Sequence, residues 1–205
     1  MSGSLISLLV STKNMHKMRE IRAILGPSFQ VSDLSALATM PEIEETGETF
    51  EDNATLKAVA VSQIYDGWVI ADDSGLEVDA LGGAPGVYSA RYSGKEATDA
   101  GNNALLLKSL ESVRGKDRRA RFRCVIVLAR AGRKVAVFSG AVEGIIVNQP
   151  KGAGGFGYDP LFVPQGFCET FGQLPAATKN RLSHRALALE RLRDWGGWGG
   201  ELREC

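Results

Sequence analysis

No stretch of this 205-residue chain is apolar for long enough to cross a membrane, which takes about 20 residues. The opening "MSGSLISLLVSTKN" lacks the basic region of a secretory leader, and its apolar run is too short to be one. Net charge is missing as well: 24 Lys and Arg balance 24 Asp and Glu. No global field therefore draws the chain onto a nucleic-acid polymer or an anionic membrane, so any anion site must be a local arrangement. Cysteine is scarce. Cys124, Cys168 and Cys205 are odd in number and far apart, with no CxxC pair and no zinc spacing. The expectation is a soluble, cytoplasmic protein with reduced thiols, and with Cys124 in a core strand. Internal repeats and low-complexity linkers are also lacking. That predicts one domain over residues 1–205, of a size that allows two lobes. The Gly-rich "WGGWGG" is read as a frayed end with Trp195 packed.

What is present is an alternation of apolar strands and amphipathic helices. "SLISLLVS" (4–11) reads as a buried strand, and "NMHKMREIRAIL" (14–25) as a helix capped by Asn14, with Met18, Ile21, Ile24 and Leu25 on one stripe. "FQVSDL" is a short strand. The segment 49–65 reads as a helix opened by a capping box of Thr49 and Asp52. Residues 68–71 form a strand that runs into Asp72 and Asp73, and 97–113 a further helix. "ARFRCVIVLAR" and "KVAVFSGAVEGIIV" flank Ala131-Gly132 as a hairpin. Residues 183–195 close as a helix capped by Ser183. The fold class is α/β, a mixed sheet flanked by helices.

Five polar stretches interrupt this pattern. In "ADDSG" two carboxylates follow an apolar strand. Neighbouring strand residues point to opposite faces, so one of Asp72 and Asp73 faces a cleft and the other braces the chain or binds metal. A polar turn is the plain alternative; the functional one is Mg²⁺, which takes one or two carboxylates plus waters and substrate phosphates. "STKNMHK" (11–17) joins a strand to a helix N-terminus, where free N–H groups favour phosphate. Thr12 and Asn14 can donate, and Lys17 can reach back. It is not a Walker A loop, for the glycines are missing. In "EETGETFEDNATLKA" Glu44 and Glu45 precede a helix on which Asn53 and Lys57 share a face. In "GAGGFGYDP" Phe156 stands between Gly155 and Gly157 and can offer a ring face to a flat base. Tyr158 follows, and Asp159 is held extended by Pro160. In "TKNRLSHRA" Lys179, His184 and Arg185 crowd a helix start, where cations oppose the dipole and invite an acceptor-rich partner. Carboxylates for a cation and lysines for an anion, each at a strand or helix end, are what a metal–polyphosphate site needs.

In this order the five stretches resemble the inosine/xanthosine triphosphate pyrophosphatases, from residue 11 to residue 189. The resemblance implies hydrolysis of ITP, dITP and XTP to the monophosphate and pyrophosphate. It also implies dependence on Mg²⁺, a homodimer, and an elongated mixed sheet with a substrate cleft between two lobes. By motif position, Thr12, Asn14, Lys17 and Lys57 match phosphate contacts, with Lys13 as a further one where the family often has Gly. Glu45 or Glu44 with Asp73 match the metal carboxylates. Asp73 matches the general base and Ser74 a substrate contact. Phe156, Gly157, Tyr158 and Asp159 match the base-recognition loop, and Lys179, His184 and Arg185 the group around the base. Gln173 and Pro175 depart from the family pattern and leave the shape of that loop open. Two rivals share the Asp-Asp signal: a phosphoribosyltransferase, whose Thr/Gly-rich phosphate loop does not follow here, and a nucleotide sensor without hydrolysis.

Overall fold

The computed structural model describes residues 5–37, 39 and 43–198. Six strands form one mixed sheet in the order β2-β1-β3-β4-β5-β6. β1 (Ile6–Val10) lies between β2 (Phe29–Asp33) and β3 (Trp68–Val78), parallel to both. β3, β4 (Arg119–Arg130), β5 (Arg133–Ile146) and β6 (Phe162–Pro164) continue antiparallel. The β4–β5 hairpin turns at Ala131 and Gly132, both with positive φ, the geometry that suits a two-residue connection between twisted strands. Cys124 is buried in β4, as expected.

Helix α1 (Met15–Leu25) is capped by the Asn14 side chain. Helix α2 (Phe50–Ser62) opens with the full Thr49–Asp52 capping box. Helix α3 (Asp99–Ser109) is capped by Thr98, and α5 (His184–Arg193) by Ser183. Each is shorter than the sequence pattern predicts, because the flanking residues act as caps or turns. A helix not expected from the sequence, α4 (Ala176–Leu182), starts directly after Pro175. It places Lys179 in a last turn, where a cation suits the dipole, and not at the start of α5. Gln173, the other departure, accepts from the backbone of Thr170 and closes the turn before α4. Within the segment read as a frayed end, Trp198 packs edge-on against Phe29, Trp68 and Trp195. Ser4, Gly199, Gly200 and Cys205 lie outside the described residues.

The sequence pattern ends β3 at Ala71, but the strand runs on through Asp72, Asp73, Ser74 and Gly75 to Val78. The reason is pairing: β4 flanks β3 without a break from Val69 to Val78. One face of these two strands carries two cores. Ile70, Cys124, Ile126 and Leu128 join Met18, Ile21 and Leu189 in the first. Leu76, Val78, Ala120 and Phe122 join Leu106, Phe162 and Phe171 in the second. Between them, on the same face of β3, stand Asp72 and Ser74. The other face packs Ala71, Val125 and Val127 against Phe50, Ala54 and Ala58 of α2.

Candidate active site

β1 stops pairing with β3 at Ile70, so the β1-side edge of β3 is free from residue 71 until Glu77 bridges to Pro85. A free edge leaves backbone groups that need partners. The carbonyl of Asp72 accepts from Lys57 Nζ at 3.0 Å and from Lys17 Nζ at 3.4 Å. The N–H of Leu76 donates to Ser89 Oγ at 2.9 Å. The lysines from α1 and α2 thus converge on one strand edge, at the mouth of a cavity of about 480 Å³.

The two adjacent carboxylates face apart, as strand geometry requires. Asp72 is sealed. It accepts from Arg185 Nε at 2.8 Å, from Lys17 Nζ, from Ser74 Oγ at 3.0 Å and from Cys124 Sγ at 3.0 Å. Burial pushes its carboxyl upward, but Arg185 and Lys17 overcome this and hold it well below the usual range. The brace is therefore Asp72, and the group that faces the cavity is Asp73. Asp73 Oδ1 accepts from Lys57 Nζ at 3.2 Å, and its Oδ2 is buried with no partner. Burial, with Glu45 and Asp72 nearby, raises its carboxyl above the ordinary value in spite of Lys57 and Lys17. Lys57 is itself buried, which would lower it, yet Asp73 and Glu45 together raise it, so its ammonium stays charged.

Lys57 also donates to Glu45 Oε1 at 2.9 Å. Glu45 is half-buried and lines the cavity, whereas Glu44 is exposed and lies outside it. The buried Asn53 fixes the loop by accepting from the N–H of Gly47 at 2.8 Å. Burial would raise Glu45, but Lys57, Lys17 and Arg91 bring it below its usual value. The strand–helix junction contributes Thr12, Lys13, Asn14 and Lys17 to the same wall. The Asn14 carboxamide caps the N–H groups of His16 and Lys17.

At the other end, the 155–159 loop is fastened from several sides. A Cβ at Gly155, which has φ 73, would collide with the Asp159 carboxylate. Asp159 is buried and accepts from the N–H of Phe156 at 2.8 Å and from Lys179. Burial raises its carboxyl even against Lys179. Gly157 donates to Asp99 at 2.7 Å and accepts from Asn103 at 3.0 Å. The Tyr158 hydroxyl donates to the carbonyl of Ser89 at 2.9 Å, and its ring belongs to the second core. Lys179 Nζ stands 4.7 Å from the centre of the Phe156 ring and donates to Glu20 at 2.7 Å as well as to Asp159. Two of its three N–H groups are engaged by carboxylates, which leaves one.

Gly140 in β5 lets the start of α5 approach closely, since a Cβ there would run into the carbonyl of His184. That approach delivers Arg185 to Asp72, Ser74 and Glu20. His184 is buried and stacks on Phe122 with ring centres 4.8 Å apart. Burial, then Arg185 and Lys179, hold its imidazole well below the usual value, so it is neutral.

Of the residues singled out in the sequence, Glu44, Asn53 and Asp72 do not line the cavity: the first is exposed, the second fixes the loop and the third is the brace. The phosphate, base and other carboxylate candidates all line it. Four that were not singled out belong beside them. Glu20 bridges Lys179 and Arg185, and a signal existed, since it sits one turn after Lys17 on α1. His16 stacks on the Phe156 ring at 5.3 Å. Arg91, 3.8 Å from Glu45, and Asp99 also line the cavity; their local sequence carries no pattern that predicts it.

The chain matches the model of the Ham1 family over residues 8–195. It is 51% identical over 194 residues to the dITP/XTP pyrophosphatase of Geobacter sulfurreducens, covering 94% of this chain and 98% of that one. It is 48% identical over 186 residues to the dITP/XTP pyrophosphatase of Bacillus licheniformis, covering 90% and 95%. Among solved structures it is similar to the Ham1 protein of Staphylococcus aureus, with TM-score 0.81 and 41% identity over 91% of this chain and 96% of that one. A HAM1 protein from Coxiella burnetii gives TM-score 0.82 and 38% identity over 92% and 96%.

Proposed function

The chain belongs to the Ham1 family, and we propose that it hydrolyses deaminated purine nucleoside triphosphates (ITP, dITP and XTP) to the monophosphate and pyrophosphate, which keeps these bases out of nucleic-acid precursors. The observation that carries this reading is one cavity with two unlike ends. Lys17, Lys57 and Arg91 face two carboxylates at one end, and an aromatic ring under a lysine stands at the other. A triphosphate with a flat base spans such ends.

The carboxylates fit Mg²⁺. Among the described residues, no group of three or more His, Cys, Asp or Glu could hold an ion alone. Glu45 and Asp73 offer the one or two carboxylates that Mg²⁺ takes when phosphates and water complete its shell, and Asp73 Oδ2 is free. Bound there, Mg²⁺ supplies charge neutralisation on the phosphates and acidifies water. Asp73 takes the proton from the attacking water, a task its raised carboxyl suits better than an ordinary aspartate would. Lys17 and Lys57 bind the phosphate oxygens, where developing charge is stabilised most in a site shielded from water. The leaving group is pyrophosphate.

At the other end, the Phe156 ring, on which His16 stacks, is the platform for the base once that imidazole yields its place, and the remaining Lys179 N–H donates to the carbonyl at purine position 6. Adenine presents an amino donor at that position, which leaves donor facing donor in a buried place. The Phe156 and Gly157 N–H groups are already engaged by Asp159 and Asp99, so they do not read the base. A homodimer in the cytoplasm, where the substrate pool is, completes the reading. No helix of the described residues is long and apolar enough to cross a membrane.

The test is pyrophosphate release from a panel of nucleoside triphosphates with and without Mg²⁺. The expected result is release from ITP and XTP well above ATP, abolished by chelation. Equal rates for ITP and ATP defeat the base assignment. No release from any triphosphate, with nucleotide binding retained, supports the sensor reading instead.

A further inference from the structure

Glu45 and Asp73 are held together by the Lys57 ammonium, which lies 2.9 Å from one and 3.2 Å from the other. With Arg91 3.8 Å from Glu45, and Lys17 close enough to act on both carboxylates, the cations here at least balance the two acids. A free divalent ion entering this place meets no net negative charge and must compete with an ammonium already in position. An ion that arrives on a triphosphate is different, because the tail brings excess negative charge and acceptors that draw the lysine off the carboxylates. The Asp73 Oδ2, buried and without a partner, is the contact point left for it.

We infer that Lys57 is a resident counter-ion that keeps Glu45 and Asp73 paired in the nucleotide-free protein and bars a free divalent ion, so that the ion enters together with the nucleotide. This rests on the proposed function, because it takes the triphosphate as the carrier. It goes beyond it in assigning an order of binding and a gating role to a lysine that otherwise only neutralises phosphate. The advantage is physical: the pair of carboxylates is held together by a resident ammonium and does not repel itself open before the nucleotide arrives.

The experiment measures Mn²⁺ binding to the purified full-length protein by electron paramagnetic resonance at neutral pH, without nucleotide. The wild type is expected to bind Mn²⁺ weakly, and Lys57→Met at least about tenfold more tightly, since a unit charge within a few ångströms is removed. Lys57→Arg is expected to stay as weak as the wild type. The gain in Lys57→Met disappears when Asp73→Asn is added. Should Lys57→Met fail to fold, the wild type alone decides: Mn²⁺ affinity is expected to rise at least about tenfold on adding an α,β-imido analogue of ITP, over and above the Mn²⁺ binding of the analogue measured alone. Tight wild-type binding without nucleotide, a folded Lys57→Met no tighter than wild type, or no rise with the analogue each overturns the inference. Pyrophosphate release from ITP by the wild type is read separately. Failure there sinks the activity, while the nucleotide-free Mn²⁺ comparison still reports on Lys57.

Discussion

Asp72 and Asp73 are consecutive on one strand and answer to different helices. The first is held by Arg185 of α5 at 2.8 Å, the second by Lys57 of α2 at 3.2 Å. Strand alternation turns one carboxylate into structure and leaves the other, with an unpartnered Oδ2, facing the cavity.

Asp73→Asn is expected to keep the fold and the melting temperature within a few degrees while lowering turnover of ITP by roughly 10² or more, the scale of a lost general base. Steady-state kinetics on protein checked by circular dichroism decide this. Because burial raises the Asp73 carboxyl, the acid limb of kcat/KM in the wild type should lie above the ordinary aspartate value of about 4. The base works deprotonated, so activity falls as pH drops through that limb. A variant as active as the wild type removes Asp73 from the proton transfer.

Asp72→Asn is a stability experiment. It takes from Arg185, fully buried, one of the two carboxylates that hold it, with Glu20 remaining, and weakening a buried pair in this way costs up to about 3 kcal/mol. The folded carboxyl is lowered, so its contribution is full above the unfolded value of about 4 and is lost as pH falls. Denaturant melts should show the variant weaker at pH 7 and the gap narrowing below pH 4. A constant gap contradicts the charge argument.

Which parts of this were legible beforehand follows from how far apart the partners are. The Thr49–Asp52 capping box and the Ala131-Gly132 turn are local, and their residues declare them. The path of β3 is not local. Two aspartates after an apolar run look like an ending, and only Arg185, 113 residues on, makes Asp72 acceptable in mid-strand. The choice between Glu44 and Glu45 is set by where Asn53 pins the loop, which spacing alone leaves open. Glu20 carried a local signal, its place one turn after Lys17, but not its task, because its two cations come from the far end of the chain.

His184 gives a pH signature of the opposite origin. Burial keeps its imidazole neutral when folded, while the unfolded chain takes up a proton below about pH 6.5. Stability must therefore fall with pH below that point, by up to about 1.4 kcal/mol per unit. His184→Phe preserves a ring against Phe122 and sacrifices no hydrogen bond at Nδ1, which has none. Its unfolding free energy should be flatter than that of the wild type between pH 6.5 and 5, as read from urea melts. Parallel curves mean that His184 is charged in the folded protein.

Phe156→Ala separates binding from chemistry. The ring stands under Lys179, whereas Asp73 is held by Lys57 of α2, so loss of the ring should weaken capture of the base and leave proton transfer alone. Stacking on an aromatic side chain is worth about 1–3 kcal/mol per base, which converts to a rise in KM for ITP of roughly 5- to 150-fold. A fall in kcat with unchanged KM would instead mean that the ring acts only in the transition state. Since Lys179 remains tied to Glu20 and Asp159 in the variant, the preference for ITP over ATP should survive the loss of affinity. A preference that vanishes with the ring would move base discrimination from the lysine to the platform.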